Sequence, residues 1–526
     1  MKKLSLLFVA LFPLLLASCG GGGGKSGACA GSAAVCNGTE GSSSSASASG
    51  VTAPLVLAAA STLENLCQLP RTGSDPFNNN LPYPDKQGSL ASEKLWLRSW
   101  IDETYLWYKE VPTTLNPDNY ATAVDYFDVL KTSAITASGK PKDQFHFTYT
   151  TAEWNAMSQQ GIELGYGISW SRSVSGTFPR KRVVAIVEPG SPADKAGLLR
   201  GDQLVTIDSV DYLNGTGSDL INTIKNALFP AKIGETHTLV FSRNGGAVTA
   251  VLAAANVVAT PVQNTKTIAT PGGTVGYLTF NDHNVVSELQ LINSITQLKA
   301  AGISDLVLDV RYNGGGLLYV ASELAYMIAG PDATAGKTFE QAQFNDKIRP
   351  DAPTPFIANA VGFSAPKDQP LPSLGLKKIS ILTSADTCSA SEAIINSLQG
   401  IDIDVTLIGG QTCGKPYGYY PTPNCGTTYF AIQFKGVNNK GFGDYADGIA
   451  ATCNVADDLT HALGDPAEGQ LAAALSYRAN KICPAASAGV KQQGIYQPRN
   501  LRLERPAAKE IAIYSRINNH INSGIK

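Results

Sequence analysis

Two residues in the second half of the chain have the types and neighbours that acyl transfer requires. Ser389 opens Ser-Ala-Ser-Glu just after a predicted strand and loop, and Lys415 ends Gly-Gly-Gln-Thr-Cys-Gly-Lys just after the next strand. A serine at a helix N-terminus meets free N–H groups and the positive end of the dipole, both of which favour developing negative charge. A lysine accepts a proton only when neutral, so its pKa must fall from about 10.4, which desolvation in apolar surroundings achieves. Asn313-Gly314-Gly315-Gly316 lies upstream. An N–H from Gly315 or Gly316, with that of Ala390, would form an oxyanion hole, where losing one donor typically costs about a hundredfold in rate. Each motif also has a plainer reading. Ser-Ala-Ser-Glu is a capping box, with Ser389 as N-cap and Glu392 reaching back, and the glycines suit a tight turn or a phosphate loop. Ser391 is the alternative nucleophile.

The elements around these residues give the set its force. Residues 306–310 read as a buried strand, followed by the glycine loop and a helical run from Leu317 to about Ala329. Residues 379–383 are a second strand, leading through a loop at 384–388 into a helix that runs to Leu398. Residues 405–408 are a third. If the three are parallel, all three loops emerge at the carboxyl edge of one sheet, where α/β proteins build their sites. Ser389 and Lys415 are 26 positions apart, about one helix-and-strand crossover. Strand and helix alternate from 257 to 480, which predicts an α/β layer.

Residues 161–255 differ in texture, with short β-branched runs between turns. Ser-Pro-Ala-Asp-Lys-Ala-Gly-Leu-Leu-Arg-Gly-Asp-Gln-Leu-Val-Thr-Ile-Asp, starting at Ser191, resembles the middle of a bacterial PDZ domain. Leu164, Gly165, Tyr166, Gly167 and Ile168 resemble its carboxylate-binding loop. Backbone N–H groups in such a loop hold a peptide's terminal carboxylate, and the following strand accepts the peptide as an added strand. Residues 61–157 read as helical: Leu95, Trp96, Ile101, Leu106 and Trp107 recur at near-helical spacing, with Ser92 as a possible start, and Tyr126, Phe127 and Leu130 mark a second short helix. Residues 481–526 form a tail with Arg499, Arg502 and Arg505 and no clear core.

Taken in order, these motifs resemble the C-terminal processing (tail-specific) serine proteases, from about Trp96 to Ala474. The resemblance implies a multidomain α+β chain: a helical N-terminal region, a PDZ-like β-rich domain, and an α/β catalytic domain of the ClpP/crotonase-like type. It implies a serine endopeptidase that uses Ser389 as nucleophile and Lys415 as general base, with the glycine loop serving the oxyanion hole. Its substrates would be exported proteins bound by their C-terminal tails, and no cofactor or metal is implied. Two features depart from the pattern. Tyr419 stands four residues after Lys415, where relatives often carry a glutamine that orients the lysine. Cysteines also flank the pair, and Cys388 with Cys413 is expected to join the two loops by a disulfide; Cys425 with Cys453 is a second candidate. A Ser–His–Asp arrangement is disfavoured, because His146, His237, His283, His461 and His520 lack a triad setting; His146 reads as structural. The competing function is a catalytically inactive PDZ and cleft binding protein or adaptor.

The chain of 526 residues carries a formal net charge of −2, so charge points to no nucleic-acid partner. Lys2 and Lys3 precede an apolar stretch from Leu4 to Leu16, then Leu-Ala-Ser-Cys. This reads as a secretory signal over 1–19 with a lipobox and lipidation at Cys19. It is too short for a comfortable membrane span of about 20 residues. Residues 20–60 are rich in Gly, Ser and Ala and read as a flexible linker. The expected location is the bacterial cell envelope, lipid-anchored, on the outer membrane facing the periplasm or the surface. Nine cysteines leave eight after Cys19, an even number that suits disulfides in an oxidising compartment.

Overall fold

The computed structural model describes residues 57–172, 178–216, 218–484, 502–504 and 516–517; Cys19, Cys29, Cys36, the signal segment and residues 20–56 of the linker lie outside them, while Ala60, expected to end the linker, opens a short helix. Near the start, helix α1 (Leu90–Thr104) is capped by Ser89, whose side chain accepts from the backbone of Ser92 while Ser92 returns the bond. The helix therefore starts earlier than Ser92, which sits at its third position. Its buried face is Trp96, Leu97, Trp100 and Ile101, whereas Leu95 faces solvent. Tyr429 of the catalytic domain packs on both tryptophans. The region is not purely helical: Phe147–Thr150 pairs antiparallel with Thr427–Phe430, so the N-terminal part completes the catalytic body.

Next come β1 (Ile162–Gly165), β2 (Ile168–Arg172), β3 (Arg182–Val187), β4 (Gln203–Ile207), helix α2 (Ser218–Leu228), β5 (Thr236–Arg243), β6 (Gly246–Ala253) and β7 (Ala255–Val258). The sheet runs β6–β5–β4–β3–β2. Trp170, Val184, Leu204, Ile207, Leu239 and Phe241 fill its core. β7 returns to pair with β1.

The catalytic layer holds β8 (Val262–Thr270), β9 (Gly273–Phe280), α3 (Ser287–Ala300), β10 (Asp305–Asp309), β11 (Gly316–Leu317), α4 (Leu318–Thr334), β12 (Lys378–Thr383), α5 (Ala390–Gly400), β13 (Asp404–Gly409), β14 (Tyr417–Gly418), β15 (Cys453–Asn454) and α6 (Gly469–Asn480). Its main sheet is ordered β8–β9–β10–β12–β13–β15. β8 is antiparallel and the remaining pairs are parallel. Alternation across the pleat sends Leu306, Leu308 and Ile381 to the face covered by α3, α4 and α5, and Val307 and Leu382 to the α6 side. α4 leaves helical geometry at Gly330 (φ 78°), close to the expected end of its first run. The loops after β10, β12 and β13 thus share one carboxyl edge.

Candidate active site

Ser389 stands between the β12 loop and α5 with φ 56° and ψ −116°. A side-chain-bearing residue in that half of backbone space costs about 1–3 kcal/mol and persists only where its surroundings over-determine it. The surroundings here are specific. Cys388 N donates to Asn313 O at 3.1 Å, Ser391 Oγ donates to Asn313 O at 3.1 Å, and Thr387 Oγ1 donates to Val310 O at 2.9 Å. The turn that carries Ser389 is thereby fastened by three bonds, two to Asn313 at the head of the glycine loop and one to Val310 before it. Ser391, the alternative nucleophile, spends its hydroxyl on that fastening.

The glycines are required by proximity. A Cβ on Gly315 (φ 100°) would stand 2.8 Å from Ser389 Cβ and 2.9 Å from Ala390 N. The Gly315 N–H is already given to Asn313 Oδ1 at 2.9 Å. Gly316 bridges to His283 through its neighbours, Leu317 N donating to His283 O and His283 N to Gly315 O. That pattern turns the N–H of Gly316 away from His283. Of the three expected oxyanion donors, Gly316 and Ala390 are the two without a bond to the site's own side chains.

His283 lies beneath this loop, a place that sequence motifs did not reveal. Its Nδ1 is 2.9 Å from the same Asn313 Oδ1, and an acceptor that already receives the Gly315 N–H makes Nδ1 the donor. Burial lowers the His283 pKa to about 3, so the ring is neutral. His283 therefore orients Asn313, which holds Gly315.

Glu392 joins the two key loops. Its buried carboxylate accepts from Ser389 N (2.9 Å), Lys415 N (2.8 Å), Gly414 N (2.9 Å) and Thr412 Oγ1 (2.5 Å). Burial pushes its pKa up against the pull of these donors. The capping-box reading captured the bond to Ser389; the three bonds to the lysine loop come from 20 or more residues away and left no local signal. The expected disulfide between Cys388 and Cys413 is present, with Cα atoms 5.2 Å apart. Cys425 pairs with Cys67 and Cys453 with Cys483; the expected Cys425–Cys453 link is not made, because each finds a partner from a segment that read as peripheral.

Lys415 is fully buried. Its Nζ sits 4.3 Å from the ring centroid of Tyr419 and 4.8 Å from that of Phe145, contacts worth about 0.5–2 kcal/mol to a cation. Tyr419 thus faces the lysine from the position where a glutamine was expected. Phe145, from the N-terminal region, is the other wall. Its neighbour His146 stacks on Phe127 and bonds Phe127 O at 3.0 Å, a structural role.

In the PDZ domain, Leu164 and Gly165 belong to β1 and are laddered to Asn256 and Ala255; the turn itself is Tyr166–Gly167, leading into Ile168 at the head of β2. Gly167 (φ 76°) has no room for a side chain, since a Cβ would fall 2.3 Å from Ser191 Cβ. Arg200 reaches from this domain into the catalytic layer, donating to Asp457 Oδ1 (2.6 Å) and Tyr312 Oη (2.7 Å). Asp457 also accepts from the buried Arg311, two residues before Asn313.

A strained serine turn, a glycine loop and a buried lysine share one sheet edge behind a PDZ domain, the arrangement of a serine-type peptidase site. The Peptidase S41 N-terminal domain matches residues 92–147, a PDZ domain 183–228 and Peptidase family S41 274–432. The chain thus carries Peptidase S41 family domains with a PDZ domain and is homologous to the carboxyl-terminal-processing proteases. It is 24% identical over 270 residues to a chloroplastic C-terminal processing peptidase of Tetradesmus obliquus, covering 46% of this chain and 55% of that one. It is 29% identical over 228 residues to a carboxyl-terminal-processing protease of Picosynechococcus sp., covering 43% and 49%. The match thus spans about half the length of these relatives. A crystal structure from Bacteroides fragilis assigned to the S41 proteases shares the fold, with TM-score 0.59, 22% identity, and coverage of 76% of this chain and 98% of that one.

Proposed function

We propose that the chain is a serine endopeptidase of the C-terminal processing type, anchored to the bacterial cell envelope by lipid on Cys19 and acting on exported proteins held by their C-terminal tails. The observation that carries the reading is Glu392, whose one carboxylate binds the backbone of both Ser389 and Lys415. In this mechanism neutral Lys415 takes the proton of Ser389 Oγ as that oxygen attacks the peptide carbonyl. The oxyanion receives the N–H groups of Ala390 and Gly316. Lys415 then hands its proton to the leaving amine, and water, deprotonated in turn, releases the acyl group from Ser389. The Tyr166–Gly167 turn receives the substrate's carboxylate, and β2 receives its last residues as an added strand.

The test is cleavage of an unfolded reporter with an apolar C-terminus by the chain lacking residues 1–60, compared with Ser389→Ala and Lys415→Ala. Cleavage by the unaltered chain alone supports the dyad. An inert chain whose PDZ domain still binds the reporter transfers the reading to a binding protein.

A further inference from the structure

The PDZ sheet continues past β2. Residues Arg502–Glu504 (β16) pair antiparallel with it, with Arg502 opposite Arg172, Leu503 opposite Ser171 and Glu504 opposite Trp170. β3 lies on the other side of β2, so β16 takes the remaining edge. That edge is where an added peptide would pair, and β16 runs as such a peptide would, toward the Tyr166–Gly167 turn. Farther along the tail, Arg516–Ile517 (β17) pairs parallel with Gly316–Leu317 (β11). One tail therefore lies against both surfaces that the proposed function gives to substrate.

The order is reversed. A substrate held by its carboxylate at the PDZ turn offers an upstream bond to Ser389. The tail instead sets its upstream stretch on the PDZ edge and its downstream stretch on the glycine loop, an arrangement suited to blocking both surfaces. The tail is also well tethered: Cys483 is fixed to Cys453 at the sheet edge, and the 19 positions from Cys483 to Arg502 reach up to about 65 Å when extended.

We propose that the C-terminal tail, through residues 502–504 and 516–517, is an internal competitor that incoming C-termini must displace from the PDZ edge and the glycine loop. The proposal rests on the reading of β2 as the peptide-receiving edge. Covalent linkage of this length gives an effective concentration on the order of 1 mM, so a strand contact with a free Kd of about 100 µM would weaken an outside peptide about tenfold.

The experiment uses the mature chain in the Ser389→Ala background, so that the probe is not consumed. A fluorescein-labelled peptide with an apolar C-terminus is titrated against this chain, against one ending at Pro484, and against the full chain carrying Arg502→Pro with Leu503→Pro. Neighbouring strand residues alternate in their ladder bonds, so one of the two prolines removes an N–H from the pairing whichever way the strand faces. Both altered chains should bind the probe about tenfold more tightly. A synthetic peptide of residues 496–526 should restore weak binding to the shortened one. Equal affinity in all three overturns the proposal with the β2 reading intact. No binding to any of them overturns the β2 reading, and the proposal with it.

Discussion

Exchanging Glu392 for glutamine asks whether one carboxylate keeps nucleophile and base in register. Oε2 accepts the N–H groups of Ser389 and Lys415, and Oε1 those of Gly414 and the Thr412 hydroxyl. An amide has a single oxygen, so in either orientation its NH2 group confronts at least one buried backbone N–H. The hydroxyl of Thr412 can turn; a backbone N–H cannot. Leaving such a group unpaired costs about 1–3 kcal/mol, offset in part because burying a neutral amide is easier than burying the carboxylate. A net loss of about 1–3 kcal/mol in stability is expected. The kinetic effect should be larger, since displacement of a reacting group by about 1 Å costs on the order of a hundredfold. The assay follows reporter cleavage, the labelling rate of Ser389 by a serine-directed probe, and affinity for a C-terminal peptide. Glu392→Gln should lower kcat and labelling together by about a hundredfold and leave peptide affinity unchanged. Loss of stability with kcat within threefold of the unaltered chain would reduce Glu392 to a helix cap and refute the positioning argument.

Removing the disulfide by Cys388→Ser with Cys413→Ser should cost about 3–4 kcal/mol, the chain-entropy figure for a loop with a separation of 25, read as a lower denaturation midpoint. Tyr419→Ala removes one apolar wall from Lys415 and admits water beside it, which favours the charged amine, so kcat should fall severalfold to about tenfold with little change in KM; equal kcat would show that Phe145 and burial suffice. Glu323 is buried beside Glu288, and its pKa is pushed up to about 9 by burial first and by that carboxylate second. Because the folded value exceeds the unfolded one near 4.5, its stabilising proton is fully retained below the unfolded value and lost as pH rises toward 9. Glu323→Gln should therefore raise Tm relative to the unaltered chain at pH 8, with the difference vanishing near pH 4.5; a difference independent of pH would contradict this.

Much of the site was legible because parallel core strands announce themselves. Leu306, Val307 and Leu308, or Ile379 and Ile381, form compact apolar runs that end in glycine or small residues, and the ordered loops after them locate Ser389, Lys415 and the glycine turn. Contacts made across long stretches were not legible. Phe145 forms a wall around Lys415 from 270 positions upstream, and nothing in Gln144-Phe145-His146-Phe147 distinguishes that duty from core packing. His283 lacked a motif because it bonds Asn313 rather than Ser389. The start read at Ser92 falls three residues late, because Ser89 is the cap and Ser92 only returns its bond. The pairing of Cys67 with Cys425 could not be chosen from spacing, since their approach depends on the packing of the N-terminal region against the catalytic body.

That last link changes what a cut in this chain would do. Cys67 and Cys425 stand 358 positions apart in sequence, with Cys388–Cys413 nested inside. A single backbone scission anywhere between Cys67 and Cys425 leaves both fragments on one covalent framework, with Ser389, Lys415 and the PDZ domain all retained. Such a nick would pass unseen on a non-reducing gel and appear only after thiol treatment. The ring formed by Cys67 and Cys425 turns a severed chain into one that is merely notched.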